Sequence, residues 1–411
     1  MQERVILHCD MNNFYASVEC LYNPAIRDLP VAVCGSKSDR HGIVLAKNMH
    51  AKKLGVKTGE AIWEAKDKCP NLFIVPPNYS QYMRFSKMAR KIYEEYTDLV
   101  EAFGIDENWL DITDSTKLFG SGEQIAHEIR ERIKAELGLT ISVGVSFNKI
   151  FAKLGSDIKK PDAVTVISNK DFKDKIFNLP VQELLYVGRS TLKKLHGIAI
   201  YTIGDLANTS PTLLRRYLGK WGETLFMFAN GYDTTPVSRT DYVSTIKGIG
   251  NSLTTPRDLC TNEDVKVLIY ILAESVAQRL RKHNFKGKTV QITIKNAELG
   301  SIDRQAQLSG YTCTSRDIAS KAYEIFLQSW DWHKNIRAFG VRVTDLVAAD
   351  GYIQLSFFDE LNQKAELLDN CVDKIRERFG HEAIQRAILL KDRPTDLVPS
   401  RDNLIHPVSY F

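Results

Sequence analysis

The stretch Gly104-Ile105-Asp106-Glu107-Asn108-Trp109-Leu110-Asp111 decides the fold. Two adjacent carboxylates, Asp106 and Glu107, sit between apolar runs at 99–105 and 109–112. The pattern predicts a β-hairpin with the acids at or near its bend. Side chains alternate between the faces of a regular strand, so one metal ion could use both acids only where the backbone turns. A third acid, Asp10, ends the apolar strand Arg4-Val5-Ile6-Leu7-His8-Cys9. Three acids from two strand ends suit a pair of Mg²⁺ ions bridging a triphosphate, which points to metal-dependent nucleotidyl transfer.

Working outward, residues 11–19 start as a helix with the adjacent rings Phe14 and Tyr15. These are either a core aromatic pair, or Tyr15 lies beneath the sugar of a nucleotide. Short buried strands follow at 30–35 and 42–48, leading into a helical segment at 49–54 crowded by Lys47, Lys52 and Lys53. Residues 78–97 and 124–137 carry apolar side chains at three- and four-residue spacings, which predicts two amphipathic helices. Residues 139–146 alternate as a strand and feed a helix over 147–157, then Lys159-Lys160-Pro161. That lysine pair could grip phosphate oxygens or simply complement a helix C-terminus. The element order predicts helices on one face of a mostly antiparallel sheet.

From 168 to 236 the texture changes to short helices. Residues 184–195 read as helix, tight turn at Gly188-Arg189, and helix. Helix-hairpin-helix units hold DNA phosphates through backbone N–H groups, and a plain helical hairpin is the alternative. Tyr186 stands where such turns more often carry glycine. The last section shows helices at 263–282 and 316–329. Its clear strands are at 289–295 and 336–344, with weaker ones near 247–255 and 304–311. Basic residues on the sheet face away from the helices would make a flat cationic surface for a duplex backbone. Gln354-Leu355-Ser356-Phe357-Phe358 is too apolar for a simple linker and reads as a buried strand or a peptide for a partner's groove. Residues 360–380 read as a helix and 391–411 as loosely ordered.

The bulk numbers agree with an enzyme of several domains. The chain has 411 residues, 44% hydrophobic and 26% charged, with a net charge of +5. The seven cysteines are scattered with no C-x-x-C pair, which argues against a disulfide framework or a structural zinc site. No apolar run approaches ~18 residues and no signal peptide is visible, so an intracellular location is expected.

The combination resembles the Y-family, or translesion, DNA polymerases over residues 4–360. The family's first metal motif, D-x-x-x-F-[FY]-A-x-V-E, is matched by Asp10, Phe14, Tyr15, Ala16, Val18 and Glu19. S-I-D-E-A-x-x-D is matched at Ile105, Asp106, Glu107 and Asp111, with Gly104 for serine and Asn108 for alanine. S-x-N-K-x-x-A-K-x-x-x-D-x-x-K-P is matched at Ser146, Asn148, Lys149, Ala152, Lys153, Asp157, Lys160 and Pro161.

The resemblance implies a multi-domain α+β fold, a right-hand polymerase with palm, small fingers, helical thumb and little-finger domain. The expected bounds are 1–10 and 80–167 for the palm, 11–79 for the fingers and 168–236 for the thumb. A linker at 237–246, the little finger at 247–348 and a C-terminal tail at 349–411 follow. It implies that Asp10, Asp106 and Glu107, with the Met11 backbone carbonyl, hold two Mg²⁺ ions. Tyr15 would be the steric gate against a ribose 2′-hydroxyl, Phe14 would pack under the incoming sugar, and Lys52 and Lys160 would meet the triphosphate. Asn48-Met49-His50-Ala51-Lys52 departs from the family's N-Y-x-A-R, and lysine lacks the arginine fork. DNA contacts are expected at Gly188, Arg189, Arg281, Lys286, Lys288 and Arg342. Gln354, Leu355, Phe357 and Phe358 resemble the sliding-clamp (β-clamp) binding pentapeptide. The implied enzyme is a monomer that takes primer-template DNA and a dNTP. By a two-metal mechanism it adds dNMP to a primer 3′-hydroxyl and bypasses damaged template bases. A non-catalytic DNA- and clamp-binding relative, or a palm-type nucleotide cyclase, are the alternatives; the first would not need all three acids, the second would not need the DNA-binding sections.

Overall fold

The computed structural model describes residues 3–35, 42–242, 245–351 and 363–390. The pentapeptide 354–358 and the stretch 391–411 lie outside the described residues. The described chain forms two compact units, 3–35 with 43–242, and 245–351 with 363–390.

The first unit runs β1 (Ile6–Met11), α1 (Phe14–Tyr22), β2 (Val31–Cys34), β3 (Val44–Lys47), α2 (Met49–Lys53), α3 (Ile62–Lys68) and β4 (Phe73–Val75). It continues with α4 (Tyr79–Glu94), β5 (Val100–Ala102), β6 (Glu107–Asp111), α5 (Thr116–Phe119), α6 (Gly122–Leu137), β7 (Ile141–Ser146), α7 (Lys149–Ile158) and β8 (Val164–Ile167). Helices α8 (Phe172–Ile176), α9 (Arg189–His196), α10 (Ile203–Asn208), α11 (Pro211–Leu218) and α12 (Lys220–Ala229) close it. The helix starts are written in the sequence. Asn78 accepts from the Gln81 N–H, Ser121 and Gln124 cap α6 reciprocally, and Asn148 accepts from the Phe151 N–H.

The main sheet has the order β5-β6-β1-β7-β8, antiparallel except for the β7–β8 pair. Strand alternation sorts β1 cleanly. Leu7, Cys9 and Met11 join Ile141 and Val143 in a core closed by Tyr82, Ile92 and Tyr93 of α4 and Ile125, Ile129 and Ile133 of α6. The other face was expected to lack a helix, and this is corrected: α7 covers it. A Cβ added to Gly144 would fall 1.9 Å from the Ala152 carbonyl oxygen, and one on Gly155 would fall 3.1 Å from the Gly144 Cα. The two glycines let helix and strand backbones nearly touch, so α7 seats where a larger residue would hold it off. A smaller sheet, β3-β2-β4, stands beside it in sequence and carries α2 and α3.

The second unit runs β9 (Gly248–Leu259), α13 (Asn262–Lys282), β10 (Phe285–Asn296), β11 (Ser301–Thr312), α14 (Ser315–Ser329), β12 (Ile336–Ala348) and α15 (Gln363–Phe379). Its antiparallel sheet has the order β11-β10-β12-β9. Val290, Ile292, Ile294, Phe339, Val341 and Val343 pack against Leu268, Leu272, Val276, Ile318 and Phe326 of α13 and α14. The opposite face is not the cationic plane expected. The register aligns Gly250, Arg342, Gln291 and Gln305 in one row, and Ser252, Gly340, Thr293 and Asp303 in the next. Glycine, hydroxyl and amide groups dominate these rows, with Arg342 as their cation and Lys295 in the adjoining row beside Ala338 and Ser301.

Helix α15 turns its charges inward. Arg281 lies 3.2 Å from Asp369 and 2.7 Å from Asp373, Lys286 lies 2.6 Å from Glu366, and Arg376 lies 2.9 Å from the buried Glu274. Leu367 and Leu368 face solvent instead. Two expected DNA contacts are thereby corrected. Arg281 and Lys286 anchor α15, because side chains at a helix end and a strand start meet the acids of a helix some 80–90 residues further on.

Candidate active site

The register of β1 against β6 builds the site. Ile6, His8 and Asp10 lie opposite Asp111, Trp109 and Glu107, so all six share the face toward α7. Asp106 sits in the bend before β6, and its carbonyl accepts the Met11 N–H at 3.1 Å. That bond ties the hairpin bend to the end of β1, where Asp10 is. The hairpin and its meeting with β1 are therefore as the sequence pattern predicts.

Helix α7 delivers the counter-charges. Lys153 Nζ lies 3.1 Å from Asp10 Oδ2, 3.0 Å from Glu107 Oε2 and 3.4 Å from Asp157 Oδ2. Lys160 Nζ lies 2.6 Å from Asp10 Oδ2 and 2.7 Å from Asp157 Oδ1. Three carboxylates thus surround two ammonium groups, with Asp106 beside them in the bend. Burial, then the charges of Asp10 and Glu107, push the Asp106 carboxyl up to about 7. Burial also raises Asp10, against the pull of Lys153 and Lys160. Burial works to lower Lys153, but Asp10, Glu107 and Asp157 outweigh it and hold its pKa above the ordinary value. The site carries more negative charge than its own lysines neutralise.

Among the described residues, no three His, Cys, Asp or Glu side chains are gathered as a ready metal cage. The lysines take the carboxylate oxygens instead. The donor set is still all hard oxygen, and the surplus charge is of the kind a divalent cation relieves. The residues fit Mg²⁺ once the ammonium groups give way.

Next to the acids, Tyr15 lies stacked on Tyr82, ring centroids 4.2 Å apart at 8°, with Tyr79 edge-on at 5.9 Å. Tyr82 is fixed in turn by its hydroxyl donating to Glu19 at 2.5 Å. Burial, Tyr79 and the Asp106 charge all raise the Tyr15 phenol. Phe14 is only 3% exposed and belongs to the core, so the role expected for it under the sugar is corrected: Tyr15 is the ring with free surface. Successive helix positions lie about 100° apart, so only one of two adjacent rings can face outward.

Elsewhere, Lys52 is exposed on α2, and among the described residues it makes no ion pair. Gly188 caps the start of α9 with Arg189 as its first residue, both exposed. Tyr186 adopts φ 72°, the left-handed conformation that glycine would take more easily. Arg342 is exposed, and its side chain lies over Gly250, where a Cβ would come within 2.8 Å of it. Lys288 Nζ sits 5.7 Å from the Tyr311 ring. The sequence reading missed Lys153, Asp157 and His8 as site members. The first two matched the family motif and sit four apart on one helix face, which was the available signal; His8 had none beyond its place two residues before Asp10.

A twisted antiparallel sheet bearing carboxylates at a strand end and hairpin, with a helical section and a second α/β unit, is the layout of a right-hand polymerase of the Y-family. The solved structure of a Y-family DNA polymerase chimera superposes with TM-score 0.74 at 23% identity, covering 84% of this chain and 99% of that one. The model of the impB/mucB/samB family matches residues 9–157, and that of its C-terminal domain matches 246–357. The chain belongs to this family, the Y-family DNA polymerases. It is 65% identical over 393 residues to DNA polymerase IV of Acetivibrio thermocellus, covering 95% of this chain and 98% of that one. It is 37% identical to DNA polymerase IV 1 of Bacillus subtilis, covering 95% and 94%. Among the described residues no helix is long and apolar enough to cross a membrane.

Proposed function

We propose that this chain extends a primer 3′-hydroxyl along a DNA template with Asp10, Asp106 and Glu107 as the catalytic carboxylates. The family is one of template-directed, low-fidelity DNA polymerases that copy past damaged bases, and that activity is this chain's class. The observation that carries the site assignment is the β1–β6 register, which pairs Asp10 directly with Glu107 and brings Asp106 to them through the bend. Two Mg²⁺ ions, held by these carboxylates and the Met11 carbonyl, would activate the attacking hydroxyl and neutralise the triphosphate.

The protein's own groups do the rest. Lys160 and Lys153 leave the carboxylates and turn toward phosphate oxygens, with Lys52 as a further point charge from α2. Tyr15, backed by Tyr82, presents a flat ring where a ribose 2′-hydroxyl would need room. Gly188 and Arg189 offer a helix start to DNA phosphates, while Lys288 and Arg342 contact the duplex backbone from the second unit. The domain bounds expected from sequence, 1–10 and 80–167, 11–79, 168–236 and 247–348, serve as the working division into palm, fingers, thumb and little finger. Residues 354–358 are proposed to engage a sliding clamp, and the enzyme to act as a monomer at the nucleoid in the cytoplasm.

Primer extension tests the reading. Asp106→Asn should lose nucleotide addition while keeping its affinity for primer-template DNA; unchanged extension would refute the role of the acid cluster.

A further inference from the structure

Lys160 and Pro161 sit in the short connection between the end of α7 at Ile158 and the start of β8 at Val164. The next residue, Asp162, is held from two sides. Its N–H donates to Asn12 Oδ1 at 2.8 Å, and the buried Asn12 donates in turn from Nδ2 to Ser142 Oγ at 2.9 Å. Ser142 stands opposite Asp10 in the register of β1 against β7, so Asn12 ties the connection to the strand end that bears Asp10. The other side is α6. Arg130 Nη1 donates to the Asp162 carbonyl at 3.3 Å, Arg130 Nε lies 3.6 Å from Asp162 Oδ1, and Lys134 Nζ lies 3.0 Å from Oδ2. Arg130 Nη2 goes to its neighbour Glu131. Amide, carbonyl and carboxylate of one residue are all engaged.

Asp162 also adopts φ 52°, a left-handed conformation that glycine enters more easily. Glycine would suit the backbone there but would lose the carboxylate that meets Arg130 and Lys134. Two residues back, Lys160 Nζ lies 2.6 Å from Asp10 Oδ2 and 2.7 Å from Asp157 Oδ1. Helix α7 fixes the connection at its start and Asp162 fixes it at its end. A lysine is a point charge on a flexible stem with no fork to set its direction, so its aim depends on how firmly its backbone is held.

We propose that Arg130 and Lys134 of α6 clasp Asp162 and, through it, position Lys160 for the triphosphate of the incoming nucleotide. Arg130, Lys134 and Asp162 are positioning residues that act through Lys160, and the inference rests on the reading of Lys160 given above. A backbone already held in place loses less freedom when its ammonium meets phosphate. The contact to a triphosphate exists before and during the reaction, so a loosened clasp weakens nucleotide binding and leaves turnover nearly untouched.

A double-mutant cycle on the full-length protein separates positioning from mere support. Single-nucleotide addition is measured for Arg130→Met, for Asp162→Gly, for Lys160→Ala, and for each of the first two combined with Lys160→Ala. Alone, Arg130→Met and Asp162→Gly should each raise the KM for dNTP about three- to tenfold, with kcat within about twofold of the unmodified enzyme. Asp162→Gly relieves the backbone while removing the carboxylate, so it keeps the test open should Arg130→Met fold poorly. With Lys160 already truncated, neither change should raise KM further by more than about twofold, because the group they aim is gone. An equal multiplication of KM in both backgrounds, or a fall in kcat with KM unchanged, overturns the clasp and leaves Lys160 on the triphosphate. A Lys160→Ala enzyme with the KM of the unmodified chain removes Lys160 from the triphosphate, and the clasp falls with it.

Discussion

The two units use the same chemistry, carboxylates against lysine and arginine, to opposite ends. In the second unit Glu274, Glu366, Asp369 and Asp373 meet Arg281, Lys286, Arg376 and Arg386, four acids against four bases. Glu274 takes Arg376 at 2.9 Å and Arg386 at 2.7 Å, and Asp369 also accepts from the Ser315 N–H and hydroxyl. That network is matched in number and rich in hydrogen bonds, and it holds α15 in place. In the first unit Asp10, Glu107 and Asp157 share Lys153 and Lys160, and among the described residues Asp106, beside them in the bend, pairs with neither. The mismatch shows in Asp106, pushed up to about 7 by burial and by its anionic neighbours. A balanced cluster is structure; the unbalanced one, at a strand end and a hairpin bend, is the cation site proposed above.

The largest expected effect breaks the unbalanced cluster. Asp10→Asn should cut the rate of nucleotide addition by at least about two orders of magnitude, measured by single-turnover extension, with DNA affinity retained. The balanced cluster should fail differently. Arg376→Met strands part of the Glu274 charge inside the second unit. It should cost that unit about 3–5 kcal/mol in denaturant unfolding, the range for breaking a buried pair. If the loss were only a few tenths of a kcal/mol, α15 would be a loosely held appendage.

Next in size, Tyr15→Ala should raise ribonucleotide incorporation by about 10²-fold, read from the ratio of rNTP to dNTP addition. Unaltered sugar discrimination would remove Tyr15 from the gate.

A smaller effect separates the clusters by pH. The raised Asp106 pKa means that the folded protein holds a proton which the unfolded chain has already lost. Below the ordinary carboxylate value both states are protonated and the group is neutral to stability. Its destabilising share grows as pH rises from about 4 to about 7 and is complete above that. Metal-free Asp106→Asn should therefore melt a few degrees above the unmodified protein at pH 8 and with no such advantage near pH 4. Parallel melting curves for the two proteins across that range would contradict the assignment. The smallest change expected is at α2, where Lys52→Arg should restore a two-pronged phosphate donor and lower the KM for dNTP a few-fold.

Much of the first cluster could be read from sequence. Strand alternation and the bend at Asp106-Glu107 announced the hairpin, and Asp10 followed from the end of an apolar run. The helices at α4, α6, α13 and α14 were visible through their three- and four-residue spacing. What the pattern could not say was which element covers a given face. Gly144 and Gly155 were read as parts of a strand and a helix, not as the contact that seats α7 and brings Lys153, Ser156 and Asp157 to β1. The short parallel strand β8 was missed for a related reason: four residues carry too little periodicity. Arg281 and Lys286 looked like DNA contacts because a basic run near a helix end looks the same whether it faces solvent or the acids of α15. Leu367 and Leu368 point outward while Asp369 and Asp373 point in, so hydrophobicity alone would assign the wrong face of that helix.

The most direct test is a calorimetric titration of the chelator-treated protein with Mg²⁺ at pH 7 in buffers of different ionisation enthalpy. The surplus negative charge predicts cation binding coupled to proton release, as Asp106 gives up the proton it holds near neutrality, and both should be lost in Asp106→Asn. Binding without proton release, or a titration indistinguishable between the two proteins, would contradict the claim that these three carboxylates are the cation site.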